Sequence, residues 1–560
     1  MKFSQFVYKR PDLTQIQSQF KEQVEQLERA NSAEKAKECV EKINRIREDF
    51  STAHAICMIR FCMNTKDEFY KKEKDYFDSA SPVMDGLVND YYRALVDSKF
   101  KDELENVYGK QLFSIANLAI KTFKPEILED LIQENKLSTQ YAELVSSAQI
   151  QFNGKKLTIP QLRAFALSAD RTVRKQASEA LYSFFSSNEE KSDEIYDRLV
   201  KLRTKIAHKL GYDSFVQLGY DRLTRSDYNP QMVKNLRQAI KEHLVPVVTK
   251  LRDKQAEQLG VGKLKYYDLS VILREGNPRP MGNEDEIVLR AKKMYEEMSN
   301  ETAEFFNFML ENELLDLKSR DGKYPGGFCN FVVNYKSPFI FANFNGTEHD
   351  VEVLTHEAGH AFQVYRSRHF DILEYHWPTL EACEIHSMSM EFFAWPWMEY
   401  FYGEKAQKAQ LVHLWGALNF IPYGVCVDEF QHYVYETPNA TPKERRKLWR
   451  EIEKTYMPEI DYDGNKFLEN GGRWHQQGHI FEDPFYYIDY VLAQICAFQF
   501  WIRSLTDKES AFRDYVNLCD TGGSLPFTKL LNVAKLSSPF EERTIKFVTE
   551  HVFNWINSHA

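Results

Sequence analysis

The run His356-Glu357-Ala358-Gly359-His360 constrains this 560-residue chain more than any other. The chain after Gly346 reads as helix, and in a helix, where 3.6 residues make a turn, two imidazoles four residues apart share one face. Both rings are therefore predicted to aim at one point. That pairing suits a Zn²⁺ ion, and Glu357 between the two rings is placed to act as general base on a water molecule there. A surface or core histidine pair is the bland alternative.

A catalytic zinc takes a third protein ligand and keeps one position open. A further histidine after a glycine, as in metzincins, is excluded because Gln363 and Arg366 stand at those positions. A carboxylate from a following helix is the other route. Residues 379–393 (TLEACEIHSMSMEFF) offer Glu381, Glu384, His386 and Glu391. Glu384 and Glu391 are seven apart on one helix face, and Glu381 is close to Glu384. Spacing alone leaves the choice open. His386 points about 200° round from Glu384, so the two are not expected on one metal.

The rest of the chain reads as helix. Ile16, Phe20, Val24 and Leu27 recur at helical spacing, as do Val40, Ile43, Ile46 and Phe50 after a break at Asn31-Ser32. Heptads are not sustained, so packed antiparallel helices are predicted rather than a coiled coil. GNPRPMGN (276–283) is a loop, with helix resuming at Glu284. Residues 325–346 are β-rich, and two short antiparallel strands are predicted at about 328–334 and 339–344 around a turn at 335–338. Leu414 to Val427 is too short for a bilayer and reads as a buried core helix. The expected division is an N-terminal helical region, 1–170, and a catalytic region, 171–560, with its small sheet near 325–346.

Composition narrows the class. A hydrophobic fraction of 43% supplies a core. Net charge is -10 with no basic tract, so no nucleic-acid partner is expected. No secretory signal is read at the N-terminus. Eight cysteines without a C-x-x-C pair fit reduced thiols in a cytoplasm. No membrane partner is expected, and the oligomeric state is not legible.

The motif, followed by Glu384-Ile385-His386-Ser387 and then Glu391, resembles the thimet oligopeptidase and oligoendopeptidase F family of zinc peptidases. That family has glycine as the second x of its motif and a ligand glutamate in the next helix. The resemblance implies one Zn²⁺ per chain, held by His356, His360 and Glu384. It implies Glu391 as the carboxylate behind a ligand histidine. Gln363 departs from the family, where many members have histidine, but that position is not a ligand. A mainly α, two-lobed peptidase is implied, enclosing a deep channel, with a small antiparallel sheet beside the zinc helix. Its activity would be hydrolysis of internal bonds in short peptides.

Residues 471–490 (GGRWHQQGHIFEDPFYYIDY) carry the family's Gly-His loop and tyrosine cluster in a form one residue shorter. By analogy Tyr490 donates to the developing oxyanion, and His479 and Tyr487 contact substrate. From the residues alone, Tyr486, Tyr487 and Tyr490 are equally core aromatics at helical spacing. His475 and His479 are a rival i, i+4 pair without an intervening glutamate. The strand Phe339–Phe344, as an edge, could pair with an extended substrate, with Phe341 and Ala342 as its contacts. An ordinary hairpin packing Ile340 and Phe344 is compatible. The rivals are a helical zinc carboxypeptidase, for which Arg473 is a candidate anchor, and a non-catalytic peptide-binding protein in which His386 closes a structural site.

Overall fold

The structure is a computed structural model and describes residues 1–320, 322–324 and 326–560. Pro325, where the β-rich segment was expected to begin, lies outside the described residues. The fold is mainly helical, as the periodicity implies.

The first helices form as their patterns require. In Leu13–Glu28 the residues Ile16, Phe20, Val24 and Leu27 are buried, and the Asp12 side chain accepts from Gln15 N. Ser32 caps Ala33–Met63, so the predicted break is a helix N-cap. These helices and Glu68–Val96 share an apolar core that includes Phe20, Val40, Ile43, Phe77 and Leu87, which Ile372 and Tyr375 complete from far along the chain. A larger core joins most of the remaining helices. Leu414–Val427 lies inside the long helix Ala406–Glu436, with Leu414, Trp415, Leu418, Ile421, Val425 and Val427 buried. Helix resumes after the Gly-Pro loop at Glu284, capped reciprocally by Asn283 and Glu286.

Two β features go beyond the sequence reading. A hairpin of β1 (Ile150–Phe152) and β2 (Lys155–Leu157) interrupts the helical N-terminal part. The predicted antiparallel pair is present as β4 (Phe328–Val332) and β5 (Ser337–Phe344). A strand not foreseen, β3 (Leu315–Lys318), pairs parallel with β5, so the sheet is mixed and its order is β3-β5-β4. A four-residue strand has too little periodicity to stand out from its helical surroundings.

This order corrects the expectation of an edge at Phe339–Phe344. β5 is the central strand, hydrogen-bonded on both sides. Phe341 and Ala342 are fully buried, and Ala342 O accepts from Lys323 Nζ at 2.5 Å. The outer strand on the hairpin side is β4.

Candidate active site

The motif helix, His349–Ser367, packs against β5 and the carboxylate helix Leu380–Phe393. Gly359 makes the helix contact possible. A Cβ there would sit 2.5 Å from His386 O and 2.6 Å from Ser387 Cα, so a larger residue would force the two backbones apart.

That close approach brings Glu384 to the two histidines. His356 Nε2 lies 3.3 Å and His360 Nε2 3.6 Å from Glu384 Oε2. The three ligand atoms lie within 4.8 Å of one another. Two imidazole nitrogens and one carboxylate oxygen form a zinc-type donor set, and bonds of about 2.0–2.2 Å at tetrahedral angles separate such atoms by roughly 3.3–3.6 Å. The residues present therefore fit the ion. Around them, Ser387 Oγ donates to Glu384 Oε2 at 2.9 Å and Tyr486 donates to Glu384 Oε1 at 2.7 Å. His356 Nδ1 is 2.7 Å from Glu391 Oε1.

Glu357 is 8% exposed, and its Oε2 has no hydrogen-bond partner. Burial pushes its carboxyl up to about 7, opposed by His356 and assisted by Glu384 and Glu391. A cation at the neighbouring donors would pull it down again. Burial also works against the Glu384 carboxylate, but His360, His356 and the Tyr486 hydroxyl overcome it and hold it at about 2. Burial takes the His360 imidazole down to about 4, which favours the neutral, metal-binding form.

The candidates left open by spacing are now separated in space. Glu381 is buried away from the ligand atoms and interacts with Asp489 and Arg225. His386 is fully buried with neither ring nitrogen bonded, and its backbone oxygen accepts from Tyr515. His475 and His479 are not drawn to one point. His475 Nε2 is 3.0 Å from Asp193 Oδ1, whereas His479 Nδ1 is 2.8 Å from Gln477 Nε2.

His479, Tyr486, Tyr487 and Tyr490 form one aromatic group. The His479 ring lies 5.0 Å from Tyr487 and 5.7 Å from Tyr490, and its Nε2 is 3.4 Å from Tyr490 Oη. Buried side chains from distant helices hold this segment. Arg203 donates to Glu134, to Tyr435 Oη and, at 2.6 Å, to Phe481 O. Arg225 donates to Phe485 O at 2.7 Å and Asp489 Oδ1 at 2.6 Å, and Gln431 Oε1 accepts from Phe485 N. Phe485 itself is held at φ 69°, a left-handed conformation disfavoured for a bulky residue. The strained turn aims Tyr486 at Glu384.

Tyr486 and His413 are the residues that sequence reasoning missed. Tyr486 lay in the aromatic cluster singled out, but the family resemblance selected Tyr487 and Tyr490 instead. The signal for His413, a lone histidine in the apolar run 411–420, was weak. Its Nε2 is 2.7 Å from Glu391 Oε2.

A cavity of about 380 Å³ lies beside this centre, lined by Glu352, Glu391, His413, Phe420, Tyr423 and Arg473, among others. Arg473 Nη1 is engaged with Glu453 Oε1 at 3.2 Å.

The chain matches the family model described as Peptidase family M3 over residues 164–548, and that of the Peptidase M3 N-terminal domain over residues 3–123. A solved structure of Pz peptidase A with an inhibitor is 55% identical and superposes with a TM-score of 0.96, covering 100% of this chain and 99% of that one. A structure described as a putative oligoendopeptidase F from Bacillus anthracis is 51% identical at a TM-score of 0.92, covering 100% and 98%. An oligoendopeptidase F homolog of Borreliella burgdorferi is 24% identical over 430 residues, which is 72% of this chain and 70% of the relative.

Proposed function

The chain belongs to peptidase family M3 and is a peptidase, and from that premise we propose that it is a zinc endopeptidase acting on internal bonds of short peptides. The convergence of His356, His360 and Glu384 beside the unpartnered oxygen of Glu357 carries the reading. Those three residues would hold the ion, one per chain. Bound there, zinc supplies Lewis acidity to a peptide carbonyl and to an attacking water.

The chain's own residues do the rest. Glu357 Oε2 accepts the proton of the attacking water and returns it to the leaving amine nitrogen. No covalent enzyme intermediate is needed. Glu391 accepts from His356 Nδ1–H, which fixes the tautomer and leaves Nε2 free to ligate. Tyr490 donates its hydroxyl to the developing oxyanion, with His479 and Tyr487 against the substrate. The 3.4 Å approach of His479 Nε2 to Tyr490 Oη supports this grouping. Burial raises the Tyr490 hydroxyl above its ordinary value, so it stays a neutral donor at pH 7.

The substrate backbone would pair with the outer strand β4 rather than with β5. Gly327, just before β4, supports this, because a Cβ there would lie 3.5 Å from Glu357 Oε1. We place the protein in the cytoplasm, with all eight cysteines unpaired and, among the described residues, all but Cys329 buried. No helix among the described residues is long and apolar enough to cross a membrane.

The test is digestion of free and end-blocked peptides of graded length, read by mass spectrometry, with Glu357→Gln as control. Internal cuts in short blocked peptides, absent from the control, are expected. Trimming confined to free C-termini would replace this reading with a carboxypeptidase.

A further inference from the structure

Behind the centre lies a second group of ligand-type atoms, from Glu352, Glu391 and His413, within 4.8 Å of one another. The hydrogen bonds argue against a second cation there. Trp395 Nε1 is 3.0 Å from His413 Nδ1, and an indole nitrogen can only donate. His413 Nδ1 therefore accepts, and the proton of the neutral ring sits on Nε2. That Nε2 is 2.7 Å from Glu391 Oε2, so it donates to the carboxylate and has no lone pair for a metal.

Glu391 is thus bracketed. Its Oε2 accepts from His413 and its Oε1 accepts from His356 Nδ1 at 2.7 Å. Trp395, which sets the tautomer of His413, is itself held to the same helix, because Gln410 Nε2 donates to Trp395 O at 2.9 Å. The end of the carboxylate helix is clipped to Ala406–Glu436 at both points. A 9%-exposed carboxylate with one oxygen unpaired would otherwise turn toward the adjoining cavity.

We infer that His413 is a positioning residue, which with Trp395 holds the Glu391 carboxylate in the orientation that fixes ligand His356. The inference rests on the zinc reading above. Without His413, Glu391 still meets His356 but is no longer locked from its far side.

The test is competition titration with zinc alone, on the full chain, in the parent and in His413→Ala, Glu391→Ala and the double variant. His413→Ala should weaken zinc about tenfold, the lower end of what such supporting partners contribute. In the Glu391→Ala background the same change should cost less than about twofold, because the partner through which it acts is gone. The melting temperature of the metal-free protein reports folding separately. His413→Gln, whose amide nitrogen can donate where Nε2 does, should stay within about threefold of the parent and keeps the test open if His413→Ala does not fold.

Unchanged affinity in His413→Ala overturns the inference. So does an equal loss with and without Glu391, which would mark His413 as packing only, or a glutamine variant as weak as the alanine one. Failure of the zinc reading is distinct, since His356→Ala would then leave zinc affinity untouched.

Discussion

Tyr486 donates its hydroxyl to Glu384 Oε1 at 2.7 Å, joining two residues 102 positions apart. The other oxygen of that carboxylate faces His356 and His360. Tyr486 therefore holds the Glu384 carboxylate from behind, with the strained turn at Phe485 as its support. Tyr486→Phe removes one hydrogen and little volume. Zinc affinity is expected to fall about tenfold, as for other outer partners of a metal site. Folding stability should change by no more than about 1.5–3 kcal/mol, the worth of a hydrogen bond to a charged group. Competition titration and chemical denaturation measure the two effects. Unaltered affinity would show that Glu384 needs no such support.

Gly359 is the steric condition for the site. Gly359→Ala would place a carbon 2.5 Å from His386 O and push the motif helix off the carboxylate helix. Overpacking of this kind costs about 1–3 kcal/mol or more. The same shift separates Glu384 from the histidines, so metal affinity should drop together with the denaturation midpoint. A variant with parental stability and parental affinity would refute the close approach.

Metal should be a large contributor to stability. A ligand that binds only the folded chain adds about 4 kcal/mol at 1,000 times its dissociation constant. Stripping with a chelator is expected to lower the thermal midpoint and abolish peptide hydrolysis, with zinc restoring both. His360→Ala should melt at the stripped temperature whether or not zinc is added. A midpoint that ignores zinc in the parent would contradict the assignment.

Arg225 donates to Asp489, and the buried Glu381 carboxyl, both of whose oxygens lack a hydrogen-bond partner, lies in the field of that pair. Burial, with Asp489 adding and Arg225 opposing, pushes the Glu381 carboxyl up to about 8. Burial likewise raises Asp489, to about 7, against Arg225. A glutamate in the unfolded chain ionises near 4.3. Between about 4.3 and 8 the folded state therefore holds a proton that the unfolded state has lost, and stability falls as pH rises through that window. Glu381→Gln should flatten this slope, gaining about 1–3 kcal/mol on the parent between pH 5 and pH 8. Urea denaturation at the two pH values decides it, and parallel slopes would exclude a protonated Glu381 in the folded state.

What the sequence determined by itself was local. The i, i+4 histidines, the helical faces of residues 16–27 and 40–50 with the break at Asn31-Ser32, the hairpin of β4 and β5 and the core helix at Leu414–Val427 follow from periodicity and spacing within one segment. Resemblance, not geometry, singled out Glu384, because Glu381, Glu384 and Glu391 have equivalent claims along an isolated helix. Their roles separate only where Gly359 lets two helices touch, so that one carboxylate meets the rings, one backs His356 and one is buried without a hydrogen-bond partner. The central position of β5 depended on β3, a four-residue strand pairing across the fold. Tyr486 and His413 acquire their places from Arg225, Gln431 and Trp395, which are remote in sequence or set by packing. Long-range hydrogen bonds of this kind leave no period in the chain, so only the tertiary structure could decide them.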